Sequence, residues 1–200
     1  MIEKITSYRP RGMNPRRRPK GENHDSPLWK PPSRKDLAAS RGELDLFNIQ
    51  LLADCKEHIP ALSQLWFDEL GQKWIPNASI ERAQVVYQTH LNKDQLPLTW
   101  VAIYQDHPIG MVSLRSNDGI REGLMPWLGS LIIHPDYRRQ KIGEKLIEVT
   151  KENAKKMGYQ TLYLFALDLT IPTWYTKLGW ESIGVDQLYH HPVTVMKINL

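Results

Sequence analysis

Residues 126–145, Pro126-Trp127-Leu128-Gly129-Ser130-Leu131-Ile132-Ile133-His134-Pro135-Asp136-Tyr137-Arg138-Arg139-Gln140-Lys141-Ile142-Gly143-Glu144-Lys145, decide how this chain is read. An apolar run ends at His134-Pro135, a short basic loop follows, and a helical pattern starts at about Ile142. The pattern predicts a buried strand, a tight turn and the first turn of a helix. The first N–H groups of a helix lack intrahelical partners and lie at the positive end of its dipole. With Arg138 and Arg139 beside them, such donors make a seat for a pyrophosphate. Gly143, lacking a Cβ, lets the chain approach a ligand. By itself the pattern is more often that of an ordinary strand–turn–helix with a solvated basic loop.

The 200 residues suffice for one domain and an appendage, and 41% hydrophobic content supports a core. No apolar run approaches the ~20 residues that span a bilayer. A single cysteine, Cys55, excludes an internal disulfide and a cysteine metal cluster, and no metal site is expected. It reads as a packed residue rather than a nucleophile, and a cytoplasmic setting is expected. Charge is uneven. Residues 1–42 hold eleven Lys/Arg against four Asp/Glu, while the remainder holds fifteen against eighteen. The formal +4 therefore belongs to the first segment. That segment also carries six of the fourteen prolines, including Arg16-Arg17-Arg18-Pro19 and Lys30-Pro31-Pro32. It reads as a disordered basic arm over 1–42, with Trp29 available to pin it, followed by a domain over 43–200. A solvated tail is the simpler reading of the arm; nucleic-acid binding is the sharper and less favoured one.

Along the domain, Phe47–Leu52 alternates as a first strand. Asp54 and Glu57 have capping-box spacing, Pro60 suits a helix start, and Gly71 predicts its stop. Ser79 caps a second helix reaching about Leu91. Thr99–Tyr104 and Ile109–Leu114 form a hairpin with His107 at its tip. After the opening stretch, Ile142, Leu146, Val149 and Ala154 hold helical spacing up to Met157-Gly158. Thr161–Leu167 reads as a buried strand, so strands four and five form a βαβ unit and run parallel. A short helix from Pro172 to Gly179 and strands over Trp180–Gly184 and Val193–Leu200 complete an α/β domain with a mixed, mostly antiparallel sheet.

Two motifs resemble one family. Arg138, Ile142 and Gly143, after Ile133-His134-Pro135-Asp136-Tyr137, resemble motif A of the GNAT N-acetyltransferase superfamily, which reads Arg/Gln-x-x-Gly-x-Gly/Ala. Thr173-Trp174-Tyr175-Thr176-Lys177-Leu178-Gly179-Trp180 resembles its motif B, aromatic-Tyr-x-x-Leu-Gly-aromatic. The order and spacing of the two motifs make the pair more specific than either. Tyr189-His190-His191-Pro192-Val193-Thr194-Val195-Met196 is similar to the end of bacterial members. One departure is Lys141, where the family usually has its first glycine; a lysine there adds a cation.

The resemblance implies a GNAT-like sheet whose parallel strands four and five splay around acetyl-CoA as co-substrate, with helices on both sides. It implies direct attack by a primary amine in a ternary complex, with no covalent enzyme intermediate. Leu131, Ile132 and Ile133 map onto the strand-four contacts of the pantetheine arm, and a backbone N–H near Leu131 would polarise the thioester carbonyl. Arg138, Arg139, Gln140, Lys141, Ile142, Gly143 and Glu144 map onto the pyrophosphate loop. Tyr175 maps onto the acid that protonates the departing thiolate. Lys73, Trp74 and Asn77 fall where the family forms an acceptor wall. The base stays open among Asp118, Glu122, His134 and His190, or none, with Trp74, Asp118 and Glu122 taken as substrate residues. The acceptor is a small-molecule amine, polyamine-like or aminoglycoside-like, or a protein amine, and the mildly acidic body favours a cation. A homodimer is compatible with the sequence, membrane association is not expected, and the alternative activity is a silent acyl-CoA-binding or partner-docking module.

Overall fold

The structure, a computed structural model, describes residues 47–200; the basic arm, Trp29 and residues 43–46 lie outside them. Among the described residues, seven strands form one sheet in the order β1-β2-β3-β4-β5-β7-β6. They are β1 (Asn48–Leu51), β2 (Leu98–Tyr104), β3 (His107–Arg115), β4 (Trp127–Ile133), β5 (Thr161–Ala166), β6 (Glu181–Leu188) and β7 (His191–Asn199). Only β4 and β5 are parallel. The helices are α1 (Ile59–Trp66), α2 (Gln72–Trp74), α3 (Ile80–Gln88), α4 (Ile142–Lys156) and α5 (Pro172–Lys177).

Both faces of the sheet are covered, which is why β2 is apolar at nearly every position. Trp100 and Ala102 pack with Ile142 and Leu146 of α4 and with Tyr175 of α5. Val101 and Ile103 pack with Leu62 of α1 and Tyr87 of α3. The same two-sidedness explains Met196, which breaks the apparent alternation of β7. Val193 and Val195 belong to one buried cluster, Met196 and Ile198 to another on the opposite face. Burying each such side chain contributes about 1.5–3 kcal/mol.

Two helix stops follow their glycines. Gly158 and Gly179 have φ of +90° and +88°. Tyr159 N–H donates to Ala154 O and Trp180 N–H to Tyr175 O, the six-to-one bonds of Schellman motifs.

Four local expectations are corrected. Asp54 caps no α-helix; it ends a 3₁₀ turn (Leu52–Asp54), and α1 starts later, with Pro60 in its first turn. Gly71 does not end the helix. It closes a π-helical turn (Phe67–Gly71) that leads into α2. A Cβ on Gly71 would lie 2.7 Å from the Trp66 ring, so the glycine serves close packing there, not termination. The second helix ends at Gln88, and Leu91 instead bridges to Leu98. The hairpin turn is only Gln105-Asp106, both at positive φ, and His107 pairs with Tyr104 inside the ladder.

Candidate active site

β4 carries the feature on which the site is built. Met111 pairs with Ile132 and Ser113 with Gly129, so Ser130 and Leu131 together oppose Val112. This is a β-bulge, with Ser130 at φ +49°. The bulge has an anchor: Arg115 donates to Ser130 Oγ (2.6 Å) and to Asp118 Oδ1 (2.7 Å). Gly129 makes room for that carboxylate, since a Cβ there would lie 2.8 Å from Asp118 Oδ2. Burial opposes the charge on Arg115, but Asp118 and Tyr87 together outweigh it and hold the guanidinium above its ordinary pKa.

Below the bulge, β4 meets β5 at a single register pair, Trp127 with Tyr163. Trp127 packs there against Tyr163 and Phe165, with ring centroids 5.8 and 6.1 Å away. Above it the two parallel strands part, leaving a cleft of ≈ 960 Å³ between them. Beyond the end of β4, a 3₁₀ turn (Pro135–Tyr137) and Lys141 at φ +60° lead into α4. No side chain caps α4, so the N–H groups of its first turn stay available.

The cleft brings together most of the residues read from sequence: Leu131, Ile132 and Ile133 from β4, Arg138, Arg139, Lys141, Ile142, Gly143 and Glu144 around the α4 start, and Tyr175, Trp74 and Asp118. Gln140 and Glu122 do not line it, nor do Asn77, His134 and His190. His134 instead accepts from Asp136 N–H at the 3₁₀ turn, and burial lowers its pKa. Arg138 is turned to protein: it donates to Ile133 O (3.1 Å) and Glu69 (2.5 Å). Asp118 is likewise committed to Arg115, so it is not a free carboxylate.

Tyr175 is 7% exposed, its ring packed between Trp174 and Trp180, and burial pushes its pKa up. The phenol is held protonated across the physiological range. Cys55 is buried, donates to Leu51 O, and is pushed up to about 11 by burial and then by Glu57 and Asp54, which fits a packed thiol.

Sequence reasoning missed Arg115, Glu69 and Tyr189 as site residues, which also line the cleft. Only Arg115 had a usable signal, an arginine ending a buried strand three residues before an aspartate. The charge of the lining is nearly balanced, with Lys73, Arg115, Arg138, Arg139 and Lys141 against Glu69, Asp118, Glu144 and Asp168. Among the described residues no group of acids, histidines or cysteines could hold a metal ion, and no helix is long and apolar enough to cross a membrane.

Residues 59–180 match the family model of the Acetyltransferase (GNAT) family. No curated protein sequence matches the chain significantly. Among solved structures, an aminoglycoside 6'-N-acetyltransferase complexed with coenzyme A is similar at 19% identity and TM-score 0.56, over 70% of this chain and 89% of that one. A GNAT acetyltransferase from Staphylococcus aureus is similar at 17% identity and TM-score 0.58, over 76% and 99%. A NatC complex bound to Gag peptide and coenzyme A is similar at 18% identity and TM-score 0.59, over 77% and 98%. At these identities the likeness is one of fold.

Proposed function

Because the chain belongs to the GNAT acetyltransferase family, we propose that it transfers an acetyl group from acetyl-CoA to a primary amine by direct attack in a ternary complex. The observation that carries this reading is the parted β4–β5 pair, with an open β4 edge leading from the Ser130 bulge to the uncapped start of α4. An extended pantetheine chain can add to that edge as a strand would, through backbone hydrogen bonds. A pyrophosphate fits the α4 start, where backbone donors lie beside Arg139 and Lys141. Relatives bound to coenzyme A in this fold support the same choice of co-substrate.

The chain's own groups then have distinct tasks. A backbone N–H at or next to Leu131, freed from the ladder by the bulge, polarises the thioester carbonyl. Tyr175 donates its proton to the departing thiolate. Its pKa lies above that of a solvated thiol of ~8.5, so full transfer is unfavourable in water. Burial raises the phenol further and keeps it a donor, so it first hydrogen-bonds the developing thiolate, and full transfer requires the desolvated thiolate's own proton affinity to rise as much. Asp118, oriented by Arg115, accepts a hydrogen bond from the attacking amine. The amine must arrive neutral, by its own equilibrium or by passing its proton to water. A cytoplasmic setting suits both acetyl-CoA and a reduced Cys55.

Calorimetric titration with acetyl-CoA, with ATP as control, tests the reading. Micromolar binding of acetyl-CoA and weaker binding of ATP is the expected result. Absence of acetyl-CoA binding refutes it.

A further inference from the structure

The part of the cleft away from α4 has walls whose chemistry is specific. Trp66 lies over Gly71 at the π turn, and Trp74 meets His191 edge-on at 5.0 Å. Leu70, Ile75 and Tyr189 extend this wall. Both indoles are fixed by their packing, so the apolar surface is preformed.

Two of the three acids here already hold a cation. Glu69 is taken by Arg138 at 2.5 Å and approached by Lys73 at 3.8 Å. Asp118 is taken by Arg115 at 2.7 Å. Asp168, on the loop after β5, accepts from the Thr170 N–H and hydroxyl. The exposed ammonium of Lys73 stands in the same wall and repels further positive charge. A polyamine or aminoglycoside would need several unpaired carboxylates, and of these three only Asp168 lacks a cationic partner.

We propose that the acceptor is a small primary amine carried on an aromatic or apolar body, with a single amino group, whose body packs against Trp66, Trp74 and Tyr189 while the amine points to Asp118 and the β4 bulge. This rests on the acetyltransferase reading above. Indole faces also favour one ammonium at close range, which helps the amine enter before it loses its proton. The Trp74–His191 contact joins α2 to the start of β7.

The test uses the full chain with acetyl-CoA and follows release of the CoA thiol. The acceptors are 2-phenylethylamine, tryptamine, spermidine, kanamycin and a peptide with a free hydrophobic N-terminus. The arylalkyl amines should exceed spermidine and kanamycin in kcat/KM by at least ~10-fold, the scale on which apolar pockets discriminate. Trp74→Ala should raise KM for 2-phenylethylamine with kcat little changed, the pattern of lost ground-state binding. Lys73→Glu, at an exposed position, should narrow the gap to spermidine. Preference for spermidine, kanamycin or the peptide overturns the proposal, as does acetyl-CoA binding with no turnover of either arylalkyl amine. Failure of acetyl-CoA itself to bind is a separate result, and it removes the transferase reading beneath the proposal.

Discussion

The half of the cleft assigned to acetyl-CoA is one continuous stretch, Ser130 to Glu144, and its donors are largely backbone groups. The acceptor half gathers side chains from residues 66–75, 115–119 and 188–189, far apart in the chain. The first half needs a bulge, a turn and a helix start, which local sequence can specify. The second depends on which indole packs over which glycine and which arginine holds which carboxylate. One half can therefore be retained while the other changes, and a common fold can serve different acceptors.

The two halves meet at Tyr175, so it offers the hardest test of their separation. Tyr175→Phe should lower kcat by about 10²–10⁴, while the dissociation constant for acetyl-CoA measured by calorimetry stays the same. Equal loss of binding and turnover would show that the phenol builds the cleft instead of acting in it.

Beneath the acceptor half runs a buried polar chain. His90 Nδ1 bonds Thr99 Oγ1 (2.7 Å), which bonds Ser113 Oγ (2.8 Å), two residues from Arg115 on β3. Burial, and then the Arg115 charge, lowers the pKa of His90 to about 3. Above pH 6.5 both folded and unfolded states hold this imidazole neutral, and it adds no pH dependence. Between 6.5 and about 3 the unfolded chain takes up a proton that the folded one refuses, so stability falls with pH. The loss should be about 2 kcal/mol at pH 5. Urea unfolding at pH 7 and pH 5 measures it, and His90→Gln should flatten the difference. An unchanged acid slope in the variant would assign the loss elsewhere.

A smaller effect is expected at the Arg115 anchor. Gly129→Ala places a methyl group 2.8 Å from Asp118 Oδ2, and the carboxylate has to move. Amine KM should rise about tenfold, near 1.4 kcal/mol, with acetyl-CoA affinity within twofold of the parent. A parallel loss of acetyl-CoA affinity would show that Arg115 holds both halves, through Ser130 as much as Asp118.

The order of elements, the parallel pair and both Schellman stops were legible in sequence, because periodicity changes and glycines mark them locally. The region of the cleft along β4 and α4 was legible for the same reason. The π turn was not. Gly71 gives a stop signal, and only the Trp66 ring packed against it shows why the helix runs on. The commitments of Arg138 to Glu69 and of Asp118 to Arg115 were equally hidden. A charged residue in a motif carries no mark of which neighbour will neutralise it. Glu122 was chosen by its place in the loop before β4 and Gln140 by its place in the motif, and the cleft is lined without them.

Lys141 sharpens the contrast at its finest scale. It stands where the family usually has glycine, at φ +60° in the left-handed region, so the position's shape is kept without the residue that adopts it freely. A non-glycine residue held there costs roughly 1–2 kcal/mol. Lys141→Gly removes that strain but leaves the unfolded chain more freedom. The net gain should be under about 1 kcal/mol, a rise in Tm of at most ~2–4 °C by calorimetry. Acetyl-CoA affinity should not improve, because the ammonium beside the α4 start favours the pyrophosphate and is lost with the side chain. A clear tightening would mean instead that the lysine side chain obstructs the loop, and that the backbone alone determines affinity in this half of the cleft.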